Sequence, residues 1–510
     1  MKSETGETTT SWMATAEVRE RPPLLASREA KVCVIGAGLA GLTVAYELAK
    51  AGKSVVVLDD GPIAGGQTRR TTAHLSNVLD DRYFEIARGR GASVARLVAA
   101  SHSAAIDAIE QTVRDESIDC DFSRLDGYLT LAPEHDASLL EKELAAAHEA
   151  GLTGVELVDK PDLAGTVIGV SLKFPRQGAF HILKYMAGLA SAVERLGGVI
   201  YNGTRVESIE TGPPIKVTTR GGAVVTASSV VVATNSPFND RITLQTKQSG
   251  YLSYVIALKV PRGTVADALQ WDTVDPYHYA RLQVDSTGGE DLLIVGGEDH
   301  KTGQADDADS RFAKLEAWAR EKYRGLGEVA YRWSGQVMQS IDNLGFIGLN
   351  PGDKHVYVAT GDSGLGMTHG TIAGRLITDL ILGKDNPWTA AYDPARKPIG
   401  AAKEFLSEGL NLAAQYADWI TGGDVKSVDD IAPGCGAIVR RGLTKVAAYR
   451  DEAGALTELS AVCPHLGCIV AWNSLETTWD CPCHGSRFDR NGVVLNGPSP
   501  VDLHRVEAKS

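Results

Sequence analysis

Val32-Cys33-Val34-Ile35-Gly36-Ala37-Gly38-Leu39-Ala40-Gly41 is the stretch on which the architecture turns. Its first four residues are apolar in an unbroken run, the pattern of a short strand buried on both faces. Three glycines at G-x-G-x-x-G spacing follow. Behind them Leu42, Val44, Ala45, Leu48 and Ala49 recur at helical spacing, and Gly52 ends the helix. Val55-Val56-Val57-Leu58 is the next strand, closing on Asp59. The result is a complete βαβ unit. In it Gly36 permits the tight turn, Gly38 lets the backbone approach a pyrophosphate, and Gly41 lets helix and strand pack closely. The helix N-terminus offers dipole and free N–H groups to the phosphates. Asp59 is placed to accept hydrogen bonds from an adenosine ribose. The unit reads as a dinucleotide site.

Around it lies an ordinary globular composition: 510 residues, 43% hydrophobic, 23% charged and 6% aromatic. That excludes a disordered or fibrous chain and predicts a few domains with a sizeable core. The net charge of −13 repels phosphate backbones, so no nucleic-acid partner is expected. No run approaches the roughly 18 apolar residues of a membrane helix, and Met1 to Ala30 is polar. A cytoplasmic protein with no membrane span is expected.

Outward from the βαβ unit, residues 94–149 have helical periodicity, interrupted near 120–131. Strands are expected at 198–201, 215–219, 229–233 and 356–359, with sheet and turns over 250–300 and a helix over 371–382. Residues 401–420 read as an amphipathic helix. After the Thr421-Gly422-Gly423-Asp424 turn, short alternating strands predict a small all-β domain.

That last region holds five of the seven cysteines, four of them within 21 residues. Cys463-Pro-His465-Leu-Gly-Cys468 and Cys481-Pro-Cys483-His484-Gly-Ser486 are separated by 15 residues between His465 and Cys481. Clustered Cys and His point to metal or redox chemistry. A structural zinc site would take four such ligands, whereas these two loops offer six.

The C-x-H-x15-C-x2-H pattern, with an extra cysteine in each loop, resembles the Rieske [2Fe–2S] family. The resemblance covers about residues 426–510. It implies that Cys463 and Cys481 hold one iron, His465 and His484 the other, and that Cys468 and Cys483 form the disulfide between the two loops. Gly497-Pro498-Ser499-Pro500 resembles the proline loop that covers the cluster. Ser486 matches the family serine that bonds a bridging sulfide, and Phe488 stands where the high-potential members carry a tyrosine.

Residues 30–395 are similar to the D-amino-acid-oxidase/glycine-oxidase family of FAD enzymes. Besides the glycine turn, the likeness rests on Gly65-Gly66-Gln67-Thr68, Thr71-Thr72-Ala73-His74, Val230–Thr234 and Ala359 through Gly364-Leu365-Gly366-Met367-Thr368. It implies FAD as cofactor, adenine contact at Val206, and an isoalloxazine ring flanked by the 65–75 and 364–368 loops. The whole implies an α/β, Rossmann-like FAD-binding domain with a mixed substrate-side sheet, plus a small all-β Rieske domain. The expected division is an arm over 1–29, an FAD-dependent domain over 30–400 with its substrate sheet about 245–335, a helical linker over 401–425, and the Rieske domain over 426–510. The two cofactor sites are expected in separate domains. This combination resembles a group of bacterial fusion oxidoreductases.

On the substrate side, the family likeness makes Tyr279 and Arg281 candidates, the latter for binding a carboxylate in bidentate fashion. An exposed strand face is the plainer reading of both. His74 is a candidate for covalent flavin attachment, with a hydrogen-bonded structural role as the alternative. The sarcosine-oxidase branch carries a lysine for reaction with O₂, and the matching strand, 291–297, has none. One G-x-G-x-x-G, and no second, argues against a pyridine-nucleotide reductase. The expectation is an FAD dehydrogenase acting on a C–N bond of a small amine or amino-acid-like substrate, with electrons leaving through the cluster to an external acceptor protein. The alternatives are a reductase or monooxygenase fed by a donor through the cluster, and a non-catalytic electron-transfer module for a partner oxygenase.

Overall fold

The strand Arg28–Ile35 sits in the middle of five parallel strands, in the order Val356–Thr360, Val224–Val232, Arg28–Ile35, Val55–Leu58 and Val199–Tyr201. Val32, Cys33, Val34 and Ile35 are all buried, as a parallel strand covered on both faces requires. The structure is a computed structural model that describes residues 6–239, 244–285, 288–397, 411, 415–419 and 421–506.

Helix Leu39–Lys50 lies against helix Gly366–Ile381. Glycine makes the approach possible: a Cβ at Gly374 would come within 2.4 Å of Thr43 Cγ2. This second helix begins a turn earlier than the apolar periodicity suggests, because Gly366 and Thr368 carry no hydrophobic signal of their own.

A second, nine-stranded sheet runs Val329–Ser340, Gln248–Val260, Asp291–Lys301, His278–Gln283, Leu269–Asp272, Ser123–Thr130, Ser171–Ala179 and His74–Leu75, with Glu156–Val158 beside Ser171–Ala179. It is mixed, since Leu269–Asp272 and Ser123–Thr130 pair in parallel while their neighbours are antiparallel. The sheet therefore reaches well beyond the 245–335 window, because strands from the first half of the chain extend it. Helices Ile182–Arg195 and Ala308–Lys322 are further elements not anticipated from sequence.

Within the 1–29 segment, residues 8–15 pack against the rest of the chain. Thr10, Ser11 and Trp12 are wholly buried, and the indole Nε1 of Trp12 donates to Thr71 O at 2.7 Å. The helix expected over 401–420 falls mostly outside the described residues; Tyr416–Trp419 form one 3-10 turn. The C-terminal region is all-β: antiparallel sheets of three strands (Gly436–Arg441 to Leu456–Ser460) and four (Ala471–Asn473 to Val494–Asn496). No helix among the described residues is long and apolar enough to cross a membrane.

Candidate functional site: one cavity with walls from two modules

The carboxyl end of the parallel sheet opens into a cavity that begins at the glycine turn. Gly36 has φ +107, and a Cβ there would lie 2.3 Å from Ala233 O. Only glycine fits. Gly36, Gly38, Asp59, Gly66, Gln67, Thr68, Thr72, His74, Val206, Gly364, Leu365, Gly366 and Met367 all line this cavity. Gly41, Ala73 and Thr368 stand behind its wall for physical reasons. A Cβ at Gly41 would strike Gly36 O at 1.9 Å, Ala73 O accepts from Arg281, and Thr368 Oγ1 bonds His102 Nδ1 at 2.7 Å. The Asp59 carboxylate accepts from Ala37 N at 2.5 Å and Gly61 N at 2.8 Å, and burial pushes it up to about 7.

The cavity has the chemistry of a site for a polar ligand. Gln67 Nε2, Asn235 Nδ2, Asp299 Oδ1 and Asp362 Oδ1 are buried without a hydrogen-bond partner among the described residues, and all four side chains line it. Such groups cost about 1–3 kcal/mol each unless something pairs with them. A dinucleotide over the glycine turn, with a flavin among these amide and carboxyl groups, fits that requirement.

On the side of the second sheet the wall is aromatic and acidic. The Tyr277 hydroxyl donates to Asp80 Oδ2 at 2.8 Å, and Tyr279 Oη lies 2.8 Å from Ser253 Oγ. Burial raises Asp80 to about 6 and Asp299 to about 7. Tyr279 lines the cavity, but Arg281 does not. Arg281 is 5% exposed, and its Nη1 donates to the carbonyls of Thr72, Ala73 and Phe180. It braces the 65–75 loop from behind. His74 is engaged at both nitrogens, Nδ1 with Thr72 Oγ1 at 3.0 Å and Nε2 with Ala280 O at 3.3 Å. Burial holds it down to about 3, so it is neutral.

The cysteine–histidine loops come together as the spacing requires. Cys468 and Cys483 are disulfide-bonded, with Cα atoms 6.4 Å apart. The sulfurs of Cys468, Cys481 and Cys483 lie within 4.8 Å of one another, but two of them are tied up in that bond and have no thiolate to offer. The free sulfurs are Cys463 and Cys481, both buried. A hydrogen bond from Cys481 holds Cys463 below its ordinary value, helped by backbone N–H groups of His465 and Leu466 and by Ser486. The rings of His465 and His484 are 4.9 Å apart and nearly perpendicular. His484 Nδ1 is buried without a hydrogen-bond partner among the described residues, and burial lowers the ring to about 4. Two buried thiols and a neutral imidazole with a free lone pair fit a mixed Cys/His iron–sulfur centre. Ser486 Oγ also accepts from Ser499 N at 3.0 Å, which ties the proline loop to the cluster loop. The linker contributes as well, with Tyr416 Oη donating to Leu466 O and Trp419 Nε1 to Gly467 O.

The two sites are not in separate compartments. Val494, Leu495, Asn496, Ser499 and Pro500 from the C-terminal region line the same cavity as the glycine turn. The backbones meet directly: a Cβ at Gly485 would lie 3.1 Å from Gly250 Cα. Gln336 Nε2 donates to Gly485 O at 2.7 Å, and Asn496 Nδ2 donates to Gln336 Oε1 at 3.0 Å. Arg70, in the 65–75 loop, pairs with the fully buried Glu476 at 2.9 Å. Glu476 also accepts from Ser334 Oγ at 2.7 Å and Thr8 N at 3.0 Å. Sequence reading missed Gln336, Glu476 and Asn496. The only nearby signal was the Gly497-Pro498-Ser499-Pro500 loop that follows Asn496.

Comparison with known proteins agrees with this layout. The model of the family described as "FAD dependent oxidoreductase" (DAO) matches residues 31–380, and that of the "Rieske [2Fe-2S] domain" matches residues 422–507. YhfW of Bacillus subtilis (strain 168), named as a Rieske 2Fe-2S iron-sulfur protein, is 32% identical over 504 residues, covering 98% of this chain and 97% of its own. A gamma-glutamylputrescine oxidoreductase of Escherichia coli (strain K12) is 27% identical over 76% of this chain and 91% of its own. Among solved structures, glycine oxidase from Geobacillus kaustophilus superposes with a TM-score of 0.59 at 19% identity, over 72% of this chain and 99% of that one. The chain belongs to the DAO family of FAD-dependent oxidoreductases and carries a C-terminal Rieske [2Fe–2S] domain, with FAD and a [2Fe–2S] cluster as its cofactors.

Proposed function

We propose that the protein is a dehydrogenase that oxidises a C–N bond of a small amine or amino-acid-like substrate and passes the electrons through its cluster to an external one-electron acceptor protein. The observation that carries this reading is the single cavity walled by flavin-domain loops on one side and Rieske residues 494–500 on the other. FAD supplies two-electron oxidation, the cluster one-electron transfer, and their junction is what a two-to-one converter needs.

In this reading Gly36, Gly38 and the start of helix Leu39–Lys50 receive the pyrophosphate, Asp59 the ribose, and Val206 the adenine. Gly66, Gln67, Thr68, Thr72, His74 and Gly364–Met367 enclose the ring, with Gly41, Ala73 and Thr368 shaping the wall from behind. Cys463 and Cys481 hold one iron, His465 and His484 the other. Asp80, Tyr277, Tyr279 and Asp299 face the substrate. A carboxylate pair with aromatic rings suits an ammonium group, and Arg281 is occupied by carbonyls, so an amine is favoured over a substrate anchored by its carboxylate. The division into an arm at 1–29, an FAD-dependent domain at 30–400, a linker at 401–425 and a Rieske domain at 426–510 serves as the working map.

Anaerobic mixing of the holoenzyme with a panel of amines and amino acids tests the reading. Bleaching of the flavin band, followed by a reduced-cluster EPR signal, is expected. A flavin that no amine bleaches, but that an external donor reduces through the cluster, overturns it in favour of a reductase.

A further inference from the structure

The cavity and the cluster loop are joined by one continuous line of polar contacts. Gln67 lines the cavity with its Nε2 unpartnered among the described residues, and its Oε1 accepts from Gln336 N at 2.7 Å. That bond fixes the amide, so its N–H₂ end is the one left for the ligand. Gln336 is buried at 3% exposure, and its Nε2 donates to Gly485 O at 2.7 Å and to Thr302 Oγ1 at 3.1 Å. Gly485 is bonded covalently to His484. The residue is thus held at two points, its backbone N–H by Gln67 and its side-chain amide by the peptide next to a cluster ligand. Gly250 and Gly485 leave room for it, since a Cβ on either would meet Gln336 Nε2 at 2.9 Å.

We propose that Gln336 is the positioning residue that couples the two redox centres, completing the path Gln67–Gln336–Gly485–His484. This rests on the reading that the flavin and the cluster belong to one electron chain. Electrons tunnel more readily through covalent and hydrogen bonds than across a gap, so a side chain that closes the gap between cavity and cluster loop sets the transfer rate. Oxidation of one C–N bond to C=N releases two electrons and two protons. The electrons pass singly through the cluster to two equivalents of an external one-electron acceptor, and the protons go to solvent.

The test is laser-flash reduction of the holoenzyme by the deazariboflavin radical, following redistribution of the electron between flavin and cluster by absorbance. Gln336→Met should slow redistribution severalfold. FAD, iron and sulfide content, both midpoint potentials and the cluster EPR signal should stay unchanged. Redistribution at the wild-type rate with intact potentials overturns the proposal. Absence of redistribution in the wild type would instead sink the one-chain reading. If Gln336→Met loses a cofactor, Gln336→Leu serves: it stays apolar in the buried site and cannot donate to Gly485 O. The same slowing is expected, and a wild-type rate overturns the proposal.

Discussion

Glu476, on the hairpin between the two cysteine–histidine loops, forms an ion pair with Arg70 of the 65–75 loop at 2.9 Å, with side-chain exposures of 0% and 2%. Thr8 and Ser334 add hydrogen bonds to the same carboxylate, so three distant parts of the chain converge on it. The cluster module is clamped onto the flavin module.

Removing one partner of a buried pair leaves the other charge stranded. Glu476→Ala should destabilise the protein by about 3–5 kcal/mol in denaturant unfolding, and release FAD more readily. Burial alone would raise this carboxyl, but Arg70, Arg487 and the Thr8 and Ser334 hydroxyls hold it below the ordinary glutamate range. A depressed carboxyl stabilises at neutral pH and loses that contribution as pH falls below the range. Acidification should therefore loosen the clamp, with a smaller effect in Glu476→Gln. An equal acid response in both proteins would refute the assignment.

Purified protein should contain iron and sulfide at the Cys/His site, with a mixed-ligand EPR signature, and His484→Ala should abolish it. Finding zinc instead would overturn the ligand assignment. Because residues 494–500 line the flavin cavity, the same variant should also bind FAD less tightly.

Phe488 is fully buried and cannot donate a hydrogen bond. Phe488→Tyr should raise the cluster potential and Ser486→Ala should lower it. A bond that strengthens by about 1 kcal/mol on reduction moves a one-electron couple by roughly 40 mV. Potentiometric titration gives both shifts.

FAD should be non-covalent. Both nitrogens of His74 are already bonded, so acid precipitation should leave the flavin in the supernatant. Flavin that stays with the pellet would contradict this.

Cation binding by the acidic wall requires ionised carboxylates. Burial raises Asp80 to about 6 and Asp299 to about 7, so kcat/KM for an amine should climb as pH rises through that window. Asp80→Asn should cost about 1.5–3 kcal/mol, roughly ten- to hundredfold in KM. A flat profile would exclude the wall from substrate binding.

What could be read in the sequence was whatever is coded by neighbours. The glycine turn needs Gly36, Gly38 and Gly41 a fixed few residues apart, and the cluster loops need Cys and His at loop spacing, so both declared themselves. The junction did not. Gln336 is one polar residue on a strand, and Glu476 one acid in a turn; each acquires meaning only from a partner more than a hundred residues away. Arg281 was misleading for the same reason. A guanidinium in the substrate sheet suits an anion, and nothing local reveals that three carbonyls have already claimed it.

The apposition of Gly250 and Gly485 also bears on how such a protein can change over generations. Modules joined only by a tether can be exchanged freely. Here a transplanted cluster module would have to arrive with no side chain at one point, and find none waiting at the other. The two halves must match at this point, so a change in one surface should demand a change in the other.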